Sequence, residues 1–384
     1  MSGSASTRVL QYHLPDFTLA IEDLKRRVDA TQWPNSVYAD DWSRGVPKSY
    51  LQTVAHYWVH GFDWELWQAR LSGMPHFRTE IEGQPIHFLH YRSDRPDAMP
   101  LVMTHGWPSS FMEFDQVIPA LLNGNGKICF NLVIPSLPGF GFSSPLQSFG
   151  WNHRRIAAAW GQLMGQLGYE EFGACGGDTG SLVAPALASL FPQRVVGVHV
   201  NGGLLRPHLT ADEYLGLRAD ERRRIDFATE LLRLGTGYAH IQATRPQSVG
   251  YALTDSPVGL LAWIIEKYKE WTDPRKPLPE EAVDLNDILS TVSLYWLTNT
   301  AASSANLYYE VRAEKQMMSP LPRTEVPTGI AVFPTDPVLR HRADQEFNVV
   351  HWNEYDRGGH FAAIEAPDLY SADLLEFFSS LERS

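Results

Sequence analysis

Apolar residues at Phe17, Ala20, Ile21, Leu24 and Val28 recur at helical spacing, with Arg26 and Arg27 on the opposite face. Trp33-Pro34-Asn35 ends that helix. A second, aromatic-rich helix is predicted from Tyr50 to Trp58 and a third from about Trp64 to Leu71. The pattern then changes to short strands: Phe77–Ile81 and Ile86–Tyr91 flank Glu82-Gly83 and predict a β-hairpin. Buried strands follow at Leu101–Thr104, Asn131–Ile134, Glu171–Cys175 and Val195–Val200, separated by helical runs at about Arg154–Leu167 and Ser181–Leu187. Such alternation predicts a mostly parallel sheet with helices on both faces.

From about Leu204 to Glu325 the pattern is helical. Ser256-Pro257, an N-cap and a proline at the first position, opens an apolar helix, and one long helix is expected from about Leu285 to Arg312. After Pro327 strands resume at Ile330–Phe333 and Phe347–Val350, and a helix from about Pro367 to Leu381 closes the chain. The expectation is an α/β fold in four stretches: a helical N-terminal extension (1–75), a core in two parts (76–203 and 327–384), and a helical lid between them (204–326).

Composition narrows the class. With 44% apolar and 20% charged residues over 384 positions, the chain can bury a sizeable core. A net charge of −12 argues against nucleic acid or an anionic membrane as partner. The two cysteines, Cys129 and Cys175, fall in separate predicted strands and do not read as a disulfide framework. Met1–Arg8 leads into no apolar signal segment and no stretch has membrane-spanning length, so a soluble, cytoplasmic protein without a membrane anchor is expected.

The chemistry concentrates at Gly176-Gly177-Asp178-Thr179-Gly180, a glycine-bounded turn between a strand and a helix. That is the context of a nucleophile elbow, with aspartate where an esterase carries serine. The glycines two positions either side of Asp178 are read as relieving collisions with that strained residue. Carboxylate attack on an acyl group would form an anhydride. Attack on a saturated carbon forms an alkyl ester that activated water can cleave. Asp178 is ionised at neutral pH, so a partner histidine would serve the second step. The electrophile is then an epoxide, a halide or a similar alkyl species.

Other stretches fall where such an aspartate needs them. His105-Gly106-Trp107-Pro108 follows a strand, so the backbone N–H groups of Trp107 and Thr179 are the expected oxyanion donors. His360, in Gly358-Gly359-His360-Phe361, is the candidate base. Asp336, at the end of the strand after the insertion, is its candidate acid, ranked above Glu354 and Asp356. A phenol could protonate a departing alkoxide, and pattern alone leaves Tyr238, Tyr251, Tyr295, Tyr308 and Tyr309 as candidates.

Taken together, these stretches resemble the microsomal-type epoxide hydrolases of the α/β-hydrolase superfamily, over nearly the whole chain. The likeness is carried by Asp23–Arg27 with Trp33-Pro34, by His105–Pro108, Pro138–Ser143, Gly176–Asp178 and Gly358–Ala363, and in the insertion by Gly237–Gln242, Asp255–Leu260, Tyr295-Trp296 and Tyr308. The resemblance implies Asp178 as nucleophile, His360 as base and Asp336 as its acid. It selects Tyr238 and Tyr308 as the lid tyrosines that hold the epoxide oxygen, with Tyr309 the alternative if the helix register shifts by one. It calls for no metal or organic cofactor. The implied partners are a small apolar or aromatic epoxide and water, and a homodimer is the default assembly. Both detoxification and natural-product pathways such as enediyne biosynthesis fit. A haloalkane dehalogenase is the nearest competitor, but those enzymes usually carry tryptophan where this chain has Thr179. A non-catalytic binding protein of the same fold has no need of the complete set.

Overall fold

The computed structural model describes residues 9–35, 40–201, 209–317 and 322–381. Nine strands form one sheet: β1 (Leu10–Gln11), β2 (His76–Ile81), β3 (Gln84–Tyr91), β4 (Met99–Thr104), β5 (Phe130–Pro135), β6 (Phe172–Gly177), β7 (Val195–Asn201), β8 (Pro327–Val332) and β9 (Asn348–Glu354). Their spatial order is β1-β2-β3-β5-β4-β6-β7-β8-β9. The pairs β1–β2, β2–β3 and β3–β5 are antiparallel and all the others parallel. The hairpin between β2 and β3 turns on Glu82 (φ 52°) and Gly83 (φ 78°), the two left-handed positions of a tight two-residue turn.

The parallel strands β4 to β8 are largely buried, whereas β9 at the sheet edge is only partly so. β6 is enclosed along its whole length, between the helix Gly180–Leu190 and the C-terminal helix Pro367–Ser380. Gly173 in β6 lies so close to the second of these that an added Cβ would approach the Phe378 ring to 2.7 Å. The parallel strands β4, β6, β7, β8 and β9 present their C-terminal ends along one edge, where loops after open α/β sheets commonly carry function.

The helices Thr18–Asp29, Lys48–His60 and Trp64–Ser72 of the N-terminal extension bury Leu24, Trp58, Trp67 and Leu71. They join the insertion through one buried and one half-buried polar contact as well. Trp58 Nε1 donates to Ser293 Oγ at 2.9 Å, and Arg70 pairs with Asp287 at 2.7 Å. The N-terminal helices therefore brace the helix Leu285–Leu297 of the insertion. Among the described residues no single helix is long and apolar enough to cross a bilayer, and the helix pair that approaches this length bends by 116° at Ser256.

Three expectations need correction. The stretch read as purely helical contains β1, which pairs with β2 and extends the sheet edge. The long helix expected over Leu285–Arg312 is two, Leu285–Leu297 and Ala301–Met317. Asn299 between them adopts φ 54°, a left-handed conformation that asparagine tolerates and that stops a helix. Cys129 lies one residue before β5, buried and unpaired, rather than within a strand. The expected start of the insertion at 203–204 and the stretch Met1–Arg8 lie outside the described residues.

Candidate active site

Asp178 follows β6 directly and adopts φ 49°, an uncommon conformation for a residue with a Cβ. The flanking glycines permit it, though the collision they avoid differs from the expected one. A Cβ on Gly176 or on Gly180 would stand 2.3 or 2.0 Å from the Thr104 carbonyl at the end of β4. The elbow is thus pressed against the neighbouring strand, and only backbone fits between them.

That approach brings the loop after β4 over the carboxylate. Trp107 N–H donates to Asp178 Oδ1 at 3.0 Å, and the Thr179 hydroxyl donates to the same oxygen at 3.0 Å. The Thr179 backbone N–H also favours the ionised carboxyl. Gly106 is required here, because a Cβ would lie 2.2 Å from Oδ1. His105 anchors the loop from beneath: Nε2 accepts from Leu137 N–H at 3.2 Å, leaving Nδ1 to donate to Gly106 O at 2.9 Å. Burial lowers its pKa to about 4, so it is neutral and serves as a strut.

His360 comes from the loop after β9. Its Nε2 stands 3.3 Å from Asp178 Oδ2, at ion-pair distance but off the line of a hydrogen bond. Burial works to depress the imidazole pKa. The Asp178 carboxylate overrides it, helped by Asp336 and Glu113, and the net direction is upward. For Asp178 burial works upward and is likewise outweighed, by His360 and the backbone donors, so its pKa lies below the ordinary value. Asp336, after β8, is 2% exposed and accepts the Phe333 N–H at 2.9 Å. Its rivals lie elsewhere: Glu354 accepts from Arg218, Arg224 and Trp352, and Asp356 acts on Arg275 and Arg357.

Helices of the insertion cover this edge. Tyr238 opens the helix Gly237–Thr244, and Tyr308 lies in Ala301–Met317. Their hydroxyl oxygens meet at 3.3 Å, and both rings face Trp107. Burial drives both phenols well above their ordinary pKa, which keeps them protonated donors. The other tyrosine candidates separate from them. Tyr251 and Tyr309 are 71% and 48% exposed, and Tyr295 OH is occupied by the Ser109 carbonyl at 2.8 Å.

A cavity of about 280 Å³ joins Asp178, His360, Asp336, Tyr238 and Tyr308, and its far wall is apolar, with Phe227 and Leu231 from the helix Ala219–Leu234. A larger recess of about 580 Å³ lies between the N-terminal extension and the start of the helix Pro257–Trp271. None of the five groups lines it, so convergence of reactive groups identifies the site better than volume does.

Sequence reasoning overlooked four residues around this cavity. Trp271 accepts the His360 N–H on its carbonyl at 2.9 Å and meets the imidazole edge-on. Glu365 accepts from Phe361 N and from Asp273 N, both at 2.9 Å, and so ties the histidine loop to the lid. Glu113 is a carboxyl that burial pushes up to about 7, and its charge acts on His360. Lys267 is a buried ammonium beside Tyr238. Lys267 lies past the apolar run Val258–Ile265, in a charged stretch with Glu266, Lys269 and Glu270, so local pattern marks none of the four.

Among the described residues one trio, His351, Asp373 and Glu376, brings possible metal-ligand atoms within 4.8 Å of one another. It lies outside the cavity, and both Asp373 oxygens already accept protein donors.

A strained carboxylate at a strand-to-helix elbow, faced by a histidine beyond the last strand, defines an α/β-hydrolase. The family model described as the alpha/beta hydrolase fold matches residues 99–278, and that described as the epoxide hydrolase N terminus matches residues 10–114. Epoxide hydrolase 1 of Oryctolagus cuniculus is 35% identical over 94% of this chain and 87% of its own length. The chain belongs to the epoxide hydrolase family, and it is a hydrolase. Two solved structures are similar. Aspergillus niger epoxide hydrolase is 34% identical with a TM-score of 0.85, covering 99% of this chain and 98% of that one. The juvenile hormone epoxide hydrolase of the silkworm Bombyx mori is 29% identical with a TM-score of 0.89, covering 98% and 95%.

Proposed function

We propose that this enzyme converts a small apolar or aromatic epoxide to its vicinal diol through an ester on Asp178. The observation that carries the reading is the division of labour around one carboxylate. Oδ1 lies in a cradle of donors, while Oδ2 faces His360 and the cavity. Above it, two protonated phenols converge on one point.

In the first step Tyr238 and Tyr308 hydrogen-bond the ring oxygen. Oδ2 attacks a ring carbon, the carbon–oxygen bond breaks, and a phenol delivers its proton to the departing alkoxide. Esterification removes the negative charge on Asp178. That charge had been holding the proton on His360, so the histidine becomes a stronger candidate for deprotonation when a base is needed. In the second step neutral His360, oriented by Asp336, takes a proton from water. The hydroxide adds to the ester carbon, charge accumulates on Oδ1, and Trp107 N–H with the Thr179 donors stabilises it. Collapse breaks the bond between the ester carbon and Oδ2, and the departing alkoxide takes the proton from His360 to give the diol. The carboxylic acid left on Asp178 passes its proton back to the tyrosinate, which regenerates both the phenol and the carboxylate.

Turnover of styrene oxide against 1-chlorobutane, with Asp178→Ala as control, tests this reading. Diol from the epoxide, negligible chloride release, and no diol from the variant are expected. Full diol formation by Asp178→Ala, or preferred turnover of the haloalkane, would overturn it.

A further inference from the structure

Lys267 is 1% exposed, an unusual place for an ammonium group. It lies in the helix Pro257–Trp271, where the neighbours Val258, Leu260, Leu261, Ile264, Ile265 and Tyr268 are all buried. Two carboxylates hold it, Glu266 Oε1 and Glu270 Oε2, each at 2.6 Å. Both are about 30% exposed, so the anions reach solvent while the cation stays inside. Its Nζ stands over the Tyr238 ring, 4.7 Å from the centroid, and 5.8 Å from that of Trp271. Both distances lie within the range of a cation–π contact.

Core packing alone does not explain this arrangement. A methionine or leucine would fill the space without the cost of desolvating a charge. Glu270 also lies beside the turn that precedes Tyr238, since a Cβ on Gly235 would stand in ordinary contact, 3.5 Å, with its Oε2. The charged groups acting on Tyr238 are Asp178 from the elbow and Glu270 from the helix, and both make its proton harder to lose. Lys267 is the cation at its ring face. As a phenol gives up its proton, negative charge spreads into its ring, and a cation over that ring is attracted more strongly.

We propose that Lys267 is a positioning residue for Tyr238, which fixes the ring over the cavity and eases its proton donation to the opening epoxide. The inference rests on the reading of Tyr238 as a ring-opening acid. Acting through Tyr238, it influences formation of the ester and leaves hydrolysis of the ester to His360.

The test is single-turnover kinetics with styrene oxide, resolving ester formation from ester hydrolysis. Lys267→Met is expected to slow ester formation by about tenfold to thirtyfold, the rate equivalent of a desolvated cation–π contact. Hydrolysis of the ester is expected to stay within about twofold. Lys267→Arg restores most of the rate, and Lys267→Met adds no further loss in a Tyr238→Phe background. An equal loss in both steps, or the same loss with and without the Tyr238 hydroxyl, would make Lys267 structural and overturn the proposal. An unchanged rate of ester formation in Tyr238→Phe alone would instead overturn the role of Tyr238. If Lys267→Met does not fold, Lys267→Gln takes its place, keeping a donor for the two carboxylates. Failure of both to fold while Lys267→Arg behaves as wild type would assign the lysine to the scaffold and contradict the proposal.

Discussion

His360 Nε2 and Asp178 Oδ2 lie 3.3 Å apart, and each shifts the other's titration: the imidazole upward, the carboxyl downward. Removing the charge on Asp178 while keeping its shape should therefore lower the pKa of His360. The account predicts that Asp178→Asn moves the His360 titration to lower pH, measured by NMR of the labelled imidazole. The same sign applies to the ester intermediate. Where ester hydrolysis limits turnover, the acid limb of kcat should fall below the pKa of His360 in the resting enzyme. An unchanged or raised His360 pKa in Asp178→Asn would contradict this coupling.

Thr179 contributes more than the backbone donor expected of it. Its hydroxyl adds a second bond to Asp178 Oδ1 at 3.0 Å, the oxygen on which the proposed mechanism places charge during ester hydrolysis. Thr179→Val keeps the backbone N–H and the shape but loses the hydroxyl. Ester hydrolysis should slow by roughly tenfold, less than the loss typical of a principal oxyanion donor. Ester formation should change little. Rapid-quench kinetics separate the two rates.

Stability has a separate focus at the other side of the sheet. Asp373 is fully buried, and its carboxylate accepts from His199 at 2.5 Å, Asn353 and Tyr355 at 2.6 Å and His351 at 3.0 Å. Burial works to raise its pKa, but these partners hold it far below the carboxylate range. A depressed folded pKa gives stability that is present above the unfolded carboxyl value, about 4, and is lost as the pH falls toward the folded one. His351 is opposed by burial, yet Asp373 raises its pKa, so its share is complete below about 6.5 and fades as the pH rises through the folded value. Asp373→Asn should destabilise the protein by about 3 kcal/mol at neutral pH, read from denaturant unfolding. The destabilisation relative to wild type should shrink in acid. An undiminished difference at pH 3 would mean that packing, rather than the buried charge, is responsible.

What the sequence made legible follows from how each feature is encoded. β4, β6, β7 and β8 are short apolar runs bounded by turn residues, so local pattern revealed them. The hairpin was announced by Glu82-Gly83, whose left-handed backbone leaves a compositional trace. The break at Asn299 was missed because both flanking segments continue the same helical composition, and one asparagine in a left-handed conformation interrupts them. β1 escaped notice because two exposed residues acquire strand character only by pairing with Phe77 and Arg78, more than sixty positions away. Asp178, His360, Tyr238 and Tyr308 were legible because each occupies a glycine-rich turn or a stretch that resembles the family, and Asp336 because it stands at the end of the strand after the insertion. Glu113, Glu365 and Trp271 were not, since each draws its significance from a contact across the fold. The glycines around Asp178 were noticed for the right property, but the atom they make room for belongs to Thr104 on the neighbouring strand.

The most direct test of the central claim is to stop the reaction between its two steps. His360→Gln is mixed with styrene oxide, and the intact protein mass is measured before peptide mapping. The account predicts a stable increase equal to one substrate mass, located on Asp178, in a protein that releases little diol. Absence of any adduct in His360→Gln, under conditions where the wild type forms diol, would mean that water attacks the epoxide directly and would contradict the ester intermediate.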